Sequence, residues 1–442
     1  MNQRADRDAQ AQEPTRAPVR RSRPGSGAGG RERRRSPFEA VGPAGGIAVV
    51  YAIATLLWVA VGDQLPGGRW LAVHLFTLGV ISNVVLAFSQ HFGRTVTRAS
   101  DERWRWQQAV FNVGAVLVLI GIPTGWHWAT GTGALTVTAV VFDGYWRLRR
   151  MRRKAVGARF SWIARVYERA HGSFIHGVVL GLLLGVGLLP GSWYGAGRLA
   201  HLHVNILGWA GLTLLATLVF FGPTVVRARI EEGADVRAAS ALRRGATGLT
   251  VGVLLLLASG IGGVAGTALR LLAAVGFGLY AWSTGTVCLP IIRVAWAAKP
   301  YAARLPMICM CVWFPFVVWA DVAAVAVGQW RLLDAIGLAA LAGVLGQAIA
   351  TTLTYVAPML RGRTSVERTR IIDRLERGVA LRTAAYNLGV VAVTVAAAFA
   401  PALAGTGSYL ATLGWALVAL PIGWLIAVGL WPVRSSAQDA PA

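Results

Sequence analysis

Apolar residues in this chain gather into runs of about twenty, the length that crosses ~30 Å of hydrocarbon in α-helical form, and the breaks between runs collect arginine, glycine and proline. Read window by window, the pattern predicts twelve helices, near 43–62, 70–91, 108–125, 129–146, 172–190, 199–222, 245–264, 267–292, 305–327, 333–358, 383–401 and 408–432. The fourth opens on small polar residues, Ala129 to Gly133. The fold class is therefore all-α, a polytopic membrane helix bundle. Composition agrees: 55% of the 442 residues are hydrophobic and only 14% are charged, where a soluble chain carries about a quarter. Mean hydropathy is +0.55.

Charge supplies the orientation. With the N-terminus inside, the inner segments hold 39 of the 43 Lys and Arg residues, and the outer loops hold only Arg69, Arg198, Arg270 and Arg331. A miscounted span would reverse every later loop and mix the two sides, so the positive-inside rule predicts twelve spans, N-in and C-in. The net charge of +24 does not mark a nucleic-acid binder, because the arginines are spread over short loops. The inner cluster at 147–160 reads as topogenic charge held against anionic lipid, with a specific lipid site as the alternative. Residues 1–37, rich in Arg, Pro, Gly and Ala, lack an apolar run and are expected to form a disordered cytoplasmic tail. The membrane domain then covers 38–432, and 433–442 form a short cytoplasmic tail. Cys288, Cys309 and Cys311 all fall inside apolar segments, which implies no disulfide framework.

Spans two and six share a frame. His74 stands four residues before Leu78-Gly79, and His203 four before Leu207-Gly208. Span ten matches at Leu345-Gly346, with Leu341 in the histidine's place, and spans six and ten share a proline near the inner end, Pro223 and Pro358. Helices two, six and ten are four apart, so the chain reads as three diverged four-helix units.

Topology sorts the seven histidines by depth. His74, His127, His201 and His203 lie at the outer ends of their segments, whereas His91, His171 and His176 lie towards the inner side. Imidazole is the commonest neutral metal ligand, and ionisable groups inside spans usually face a bundle interior or cavity. The outer four are candidates for a metal or haem site, and the inner three for a weaker second one. The alternative is that each is an interfacial residue. His201 and His203 are ~200° apart around a helix, so they face different neighbours. The shared frame favours His74 and His203 as the pair, with His201 beside them. Asn83 and Asn205 could hydrogen-bond a bound group, and Gly79 and Gly208 would let a flat macrocycle approach. His74 and His91 are ~25 Å apart along one helix, too far for two haems in one four-helix unit.

Met307, Cys309, Met310 and Cys311 offer soft ligands of the kind that suit Cu(I), although such residues also pack ordinary apolar helices. Asp321 is the clearest carboxylate within a span. No phosphate-binding glycine loop, zinc-protease motif or Cys-x-x-Cys appears.

Twelve spans in three units with outer histidines on equivalent helices resemble subunit I of the haem–copper oxidases. The stretches from His74 to Phe92 and from His201 to Leu215 are more similar still to the NnrS-like bacterial membrane proteins. They also resemble the membrane region that some bacteria fuse to multicopper oxidases or copper nitrite reductases. The resemblance covers roughly 40–430, but its specific motifs are confined to spans two and six. It implies a bacterial inner-membrane protein that holds haem, copper or both through membrane histidines. Electron transfer, or handling of nitric oxide or copper stress, would follow, with a copper-oxidase or nitrite-reductase type of redox partner. By position it carries the ligand role onto His74 and His203, with His201 adjoining.

The chain also departs from the oxidase pattern. Spans seven to twelve contain no histidine, so the further histidines an oxidase needs for its copper and haems are missing. A membrane oxidoreductase component is thus expected, but not a proton-pumping oxygen reductase. The competing reading is a twelve-helix transporter or scaffold with structural or metal-transporting histidines.

Overall fold

The computed structural model describes residues 41–99, 106–362, 364–403 and 406–430; the two expected tails, 1–37 and 433–442, lie outside the described residues. Every regular element described is helical. Three units follow one another: α1 (Gly42–Val61), α2 (Gly68–Thr97), α3 (Gln107–Thr124) and α4 (His127–Lys154); then α5 (Trp162–Gly185), α6 (Gly191–Val225), α7 (Ala234–Ile261) and α8 (Gly263–Ala297); then α9 (Arg304–Val327), α10 (Trp330–Arg361), the short α11 (Ser365–Glu376), α12 (Val379–Leu403) and α13 (Thr406–Leu430). Most consecutive helices pack on one another, whereas α12 packs mainly on α10 and α13 rather than on α11, and one apolar core runs through α2, α5, α6, α8, α9 and α10.

Among the described residues, ten helices, all but α4, α5 and α11, are long and apolar enough to cross a membrane. α4 and α5 have the length, at 28 and 24 residues, but carry charge in their inner turns. The charged residues also explain a shift of boundary. α5 starts at Trp162 rather than near 172, which brings Glu168 and His171 inside a helix, where both are buried. α6 starts at Gly191, ahead of the apolar run. His201 and His203 are therefore 15–18 Å along their helix and not at its mouth. α11 is amphipathic: Thr364 and Glu367 cap its start reciprocally, and Ile371 and Leu375 bury against Ala302 and Trp424.

The three units share a device that hydropathy does not show. A π-helical turn interrupts α2 at Leu75–Ile81, α6 at Val204–Gly211 and α10 at Ala340–Gly346, and its contacts correct the expected register of unit three: Ala342-Gly343, not Leu345-Gly346, stands where Leu78-Gly79 and Leu207-Gly208 stand. The wider turn lengthens the backbone ladder: Ser82 N–H reaches back to Thr77 O and Leu212 N–H to Leu207 O. Loosened carbonyls at such turns need extra donors in an apolar interior. Each turn has one: Ser82 Oγ donates to Thr77 O at 2.9 Å, Tyr280 Oη to Leu207 O at 2.9 Å and Tyr386 Oη to Ala342 O at 2.9 Å. Glycine makes room for the tyrosines, since a Cβ on Gly211 or Gly346 would collide with the Tyr280 or Tyr386 hydroxyl.

An amide clasp follows the turn in units one and three. Asn83 donates to Gly79 O at 2.7 Å and to Asn112 Oδ1 on α3 at 3.0 Å, while Asn112 returns a bond of 2.8 Å to Asn83 Oδ1. Gln347 likewise donates to Gly343 O at 2.8 Å and to Asn387 Oδ1 on α12 at 3.1 Å. Removing a single hydroxyl takes one donor from a buried carbonyl, and Leu207 O then keeps only Leu212 N–H. Tyr280→Phe and Tyr386→Phe are each expected to lower unfolding stability by about 1–3 kcal/mol, read as earlier denaturation of the purified protein in detergent, with helix content unchanged.

Candidate functional site

A cavity of about 640 Å³ opens between α2, α5, α6 and α10, with α3 and α4 closing one side. Its volume falls within the range of small-molecule and cofactor sites. Most of the wall is aliphatic. The polar groups converge on two imidazoles, His74 from α2 and His201 from α6, with Asn205 one turn below His201. Arg69 and Tyr194 are among the polar residues nearer the mouth, where Arg198 also pairs with Asp334 of α10 at 2.8 Å.

Each imidazole is held by a backbone carbonyl. His74 Nδ1 lies 2.8 Å from Trp70 O, and His201 Nδ1 lies 2.8 Å from Gly177 O on α5. A carbonyl can only accept, so Nδ1 carries the proton in both rings and Nε2 presents a lone pair. This is the arrangement that orients metal-bound histidines. The two ring centroids are 6.3 Å apart with planes inclined by 25°. Trp70 stacks on His74 with centroids 4.0 Å apart.

The glycines of α5 make this placement possible. A Cβ on Gly181 would stand 2.8 Å from His201 Cε1, and one on Gly177 would strike the Asn205 amide. Small residues four apart let helices approach closely in membranes, and here they admit an imidazole and an amide. That spacing, Gly177 to Gly181 to Gly185, was the sequence signal for the wall.

The expected pairing of His74 with His203 is corrected. His203 is fully buried on the far side of α6, stacked on Phe277 of α8 at 4.5 Å, with Nε2 3.0 Å from Asp321 Oδ2 of α9. Its Nδ1 lies 2.8 Å from Leu199 O. Both nitrogens are engaged in hydrogen bonds, so neither is left for a metal. Equivalent positions in successive units explain the difference. His74 of unit one points at α6 of unit two, and His203 of unit two points at α9 of unit three, so equivalence itself keeps the two apart. His201, two residues away, takes the opposite side of α6 and becomes the partner.

Other candidates disperse. Asn83 is fully buried in its clasp with Asn112 and does not reach the cavity, whereas Asn205 does. Gly79 packs on the Tyr51 ring and Gly208 on Ser173, so neither receives a macrocycle. His127 is exposed at the start of α4. Of the inner group, His91 contacts Phe92, His176 is exposed on α5 with Nδ1 bonded to Gly172 O, and His171 is buried against Trp209. Met307, Met310 and Cys311 are buried and Cys309 is half-buried. Cys311 faces Cys288 of α8 while Cys309 faces Asn387 of α12, so the four soft residues do not converge. Among the described residues, no group of three or more His, Cys, Asp or Glu could hold a metal ion. Two imidazoles on the cavity wall are what this chain offers.

No protein-family model and no curated protein sequence matches the chain.

The buried His203–Asp321 pair ties α6 to α9, and removing one member strands the other. Asp321→Ala is expected to lower stability by about 3–5 kcal/mol, measured by chemical denaturation, whereas Arg198→Ala at the exposed mouth pair should cost no more than about 1 kcal/mol.

Proposed function

We propose that the cavity holds a haem between His74 and His201, and that the protein serves membrane electron transfer. The observation that carries this reading is the pair of imidazoles, each with Nδ1 fixed by a carbonyl and Nε2 free, across a cavity of about 640 Å³. Both rings line the same cavity with centroids 6.3 Å apart, so His74 and His201 are the residues that would hold a bound haem. A lone copper ion would leave most of such a volume unfilled, so haem fits better than copper.

When bound, haem supplies reversible one-electron exchange at a potential set by its ligands and surroundings. The chain's residues do the rest. Gly177 and Gly181 admit His201 and fix its ring, and Trp70 covers one face of His74. The wall around the centre is aliphatic, and Arg69 adds positive charge at the mouth beside the Arg198–Asp334 pair. Two protein ligands to one iron favour electron passage over capture of a gas. Within the expected range of roles, that places electron transfer ahead of nitric oxide or copper handling. A copper-protein electron partner, of the oxidase or nitrite-reductase type, would meet the outer face, and the bacterial inner membrane is the proposed location.

The test is a visible spectrum and metal analysis of detergent-purified protein. We expect one haem per chain with a sharp Soret band, lost in His74→Ala and in His201→Ala, and retained in His203→Phe. A Soret band that survives both cavity variants would contradict the site. A protein with neither iron nor copper would favour the transporter or scaffold reading.

A further inference from the structure

Below the cavity the first two units contain a column of buried polar groups that the proposed cofactor does not use. Trp209 forms part of the cavity floor. Its indole N–H donates to Ser82 Oγ at 3.1 Å, and its ring is wedged between Phe174 and His171, with centroids 4.8 and 4.9 Å away. His171, beneath it, is fully buried. Its Nδ1 lies 2.8 Å from Tyr167 O and so carries the proton, while Nε2 is buried with no hydrogen-bond partner.

That orphan atom has a complementary neighbour. A Cβ on Gly144 of α4 would lie 3.1 Å from His171 Nε2 and 3.5 Å from Gln90 Nε2, so the imidazole and the buried amide of α2 rim one notch over a glycine. An amide N–H that donates and an imidazole nitrogen that accepts are what one buried water requires, and buried polar groups left unpaired are usually met by such a water. One residue from Gly144, Asp143 accepts from Arg147 at 2.6 Å and from Gln107 at 3.5 Å. Three residues before His171, Glu168 takes a forked bond from Arg152 at 2.5 and 3.1 Å. Glu168 and Arg147 are about 5% exposed. These ion pairs lie at the inner, basic end of α4 and α5, where protons could enter from the aqueous side.

We propose that this column is a proton path between the basic end of the bundle and the cavity. A water held by His171 and Gln90 is its middle station, and Trp209 is the plug beneath the cavity floor. Protons pass from water to water, each O–H bond broken being replaced by one formed, so nothing is consumed. The notch over Gly144 offers one donor and one acceptor, too few to replace the hydration shell of a metal cation, which leaves the proton as cargo. The path depends on the cavity and not on what the cavity holds.

The full chain reconstituted in liposomes with a trapped pH dye and a potassium diffusion potential tests this. Wild type should leak protons little above protein-free vesicles. Trp209→Ala should raise proton flux by roughly tenfold or more, without sodium permeability, and adding His171→Phe or Gly144→Leu should return it to the wild-type rate. No rise in Trp209→Ala, or a rise shared by sodium and indifferent to His171, overturns the path. Should Trp209→Ala fail to fold, nitrogen-15 NMR of His171 in the otherwise native chain decides. A hydrogen bond from water to Nε2 that vanishes in Gly144→Ala is expected, and a dry, unbonded Nε2 overturns the proposal.

Discussion

Inside a bilayer no solvent relieves an unpaired backbone carbonyl, and the three π-helical turns of α2, α6 and α10 place that constraint at the centre of this protein. Each turn widens the helix by one residue and frees carbonyl capacity, and each meets it with a hydroxyl: Ser82, Tyr280 or Tyr386. Glycines opposite the two tyrosine hydroxyls follow from this, as do the amide clasps that tie the π helix to its neighbour in units one and three. The turns also set direction. A residue just before a π turn points across the boundary between units, and the site depends on that.

Histidine chemistry then divides by what becomes of each lone pair. His203 gives Nε2 to a hydrogen bond with Asp321 and joins unit two to unit three. His74 and His201 give their Nδ1 protons to carbonyls and keep Nε2 for the cavity. His171 keeps Nε2 as well, but in a notch fit for one water. Three buried roles, an ion-pair strut, a ligand pair and a water holder, come from one side chain because the neighbours of Nδ1 and Nε2 differ.

Much of this was legible in the chain. Apolar runs of about twenty residues correspond to helices because length and hydropathy decide what can cross a membrane, and the His-x-x-x-Leu-Gly frame marked two of the three π turns. The depth of His201 and His203 was not legible, since Gly191 to Gly197 is too poor in large apolar residues to read as membrane helix although it forms two turns of α6. Nor was the choice of partner. Frame equivalence suggested that His74 and His203 act together, and only the packing of unit one on unit two and of unit two on unit three shows why His201 takes that place. The wall of α5 was written as glycines four apart, a pattern that says helices approach closely without saying what enters the gap. Asp321 was visible as a buried carboxylate, but its partner lies 118 residues away and no local pattern joins them.

X-ray absorption at the iron K-edge of the purified, oxidised protein tests the central claim most directly. An iron shell of nitrogens alone, with the outer-shell scattering of two imidazoles, is the predicted result, and iron should be missing from His201→Ala. Iron carrying a single imidazole in the native chain, or a protein without iron, would contradict a site built from His74 and His201.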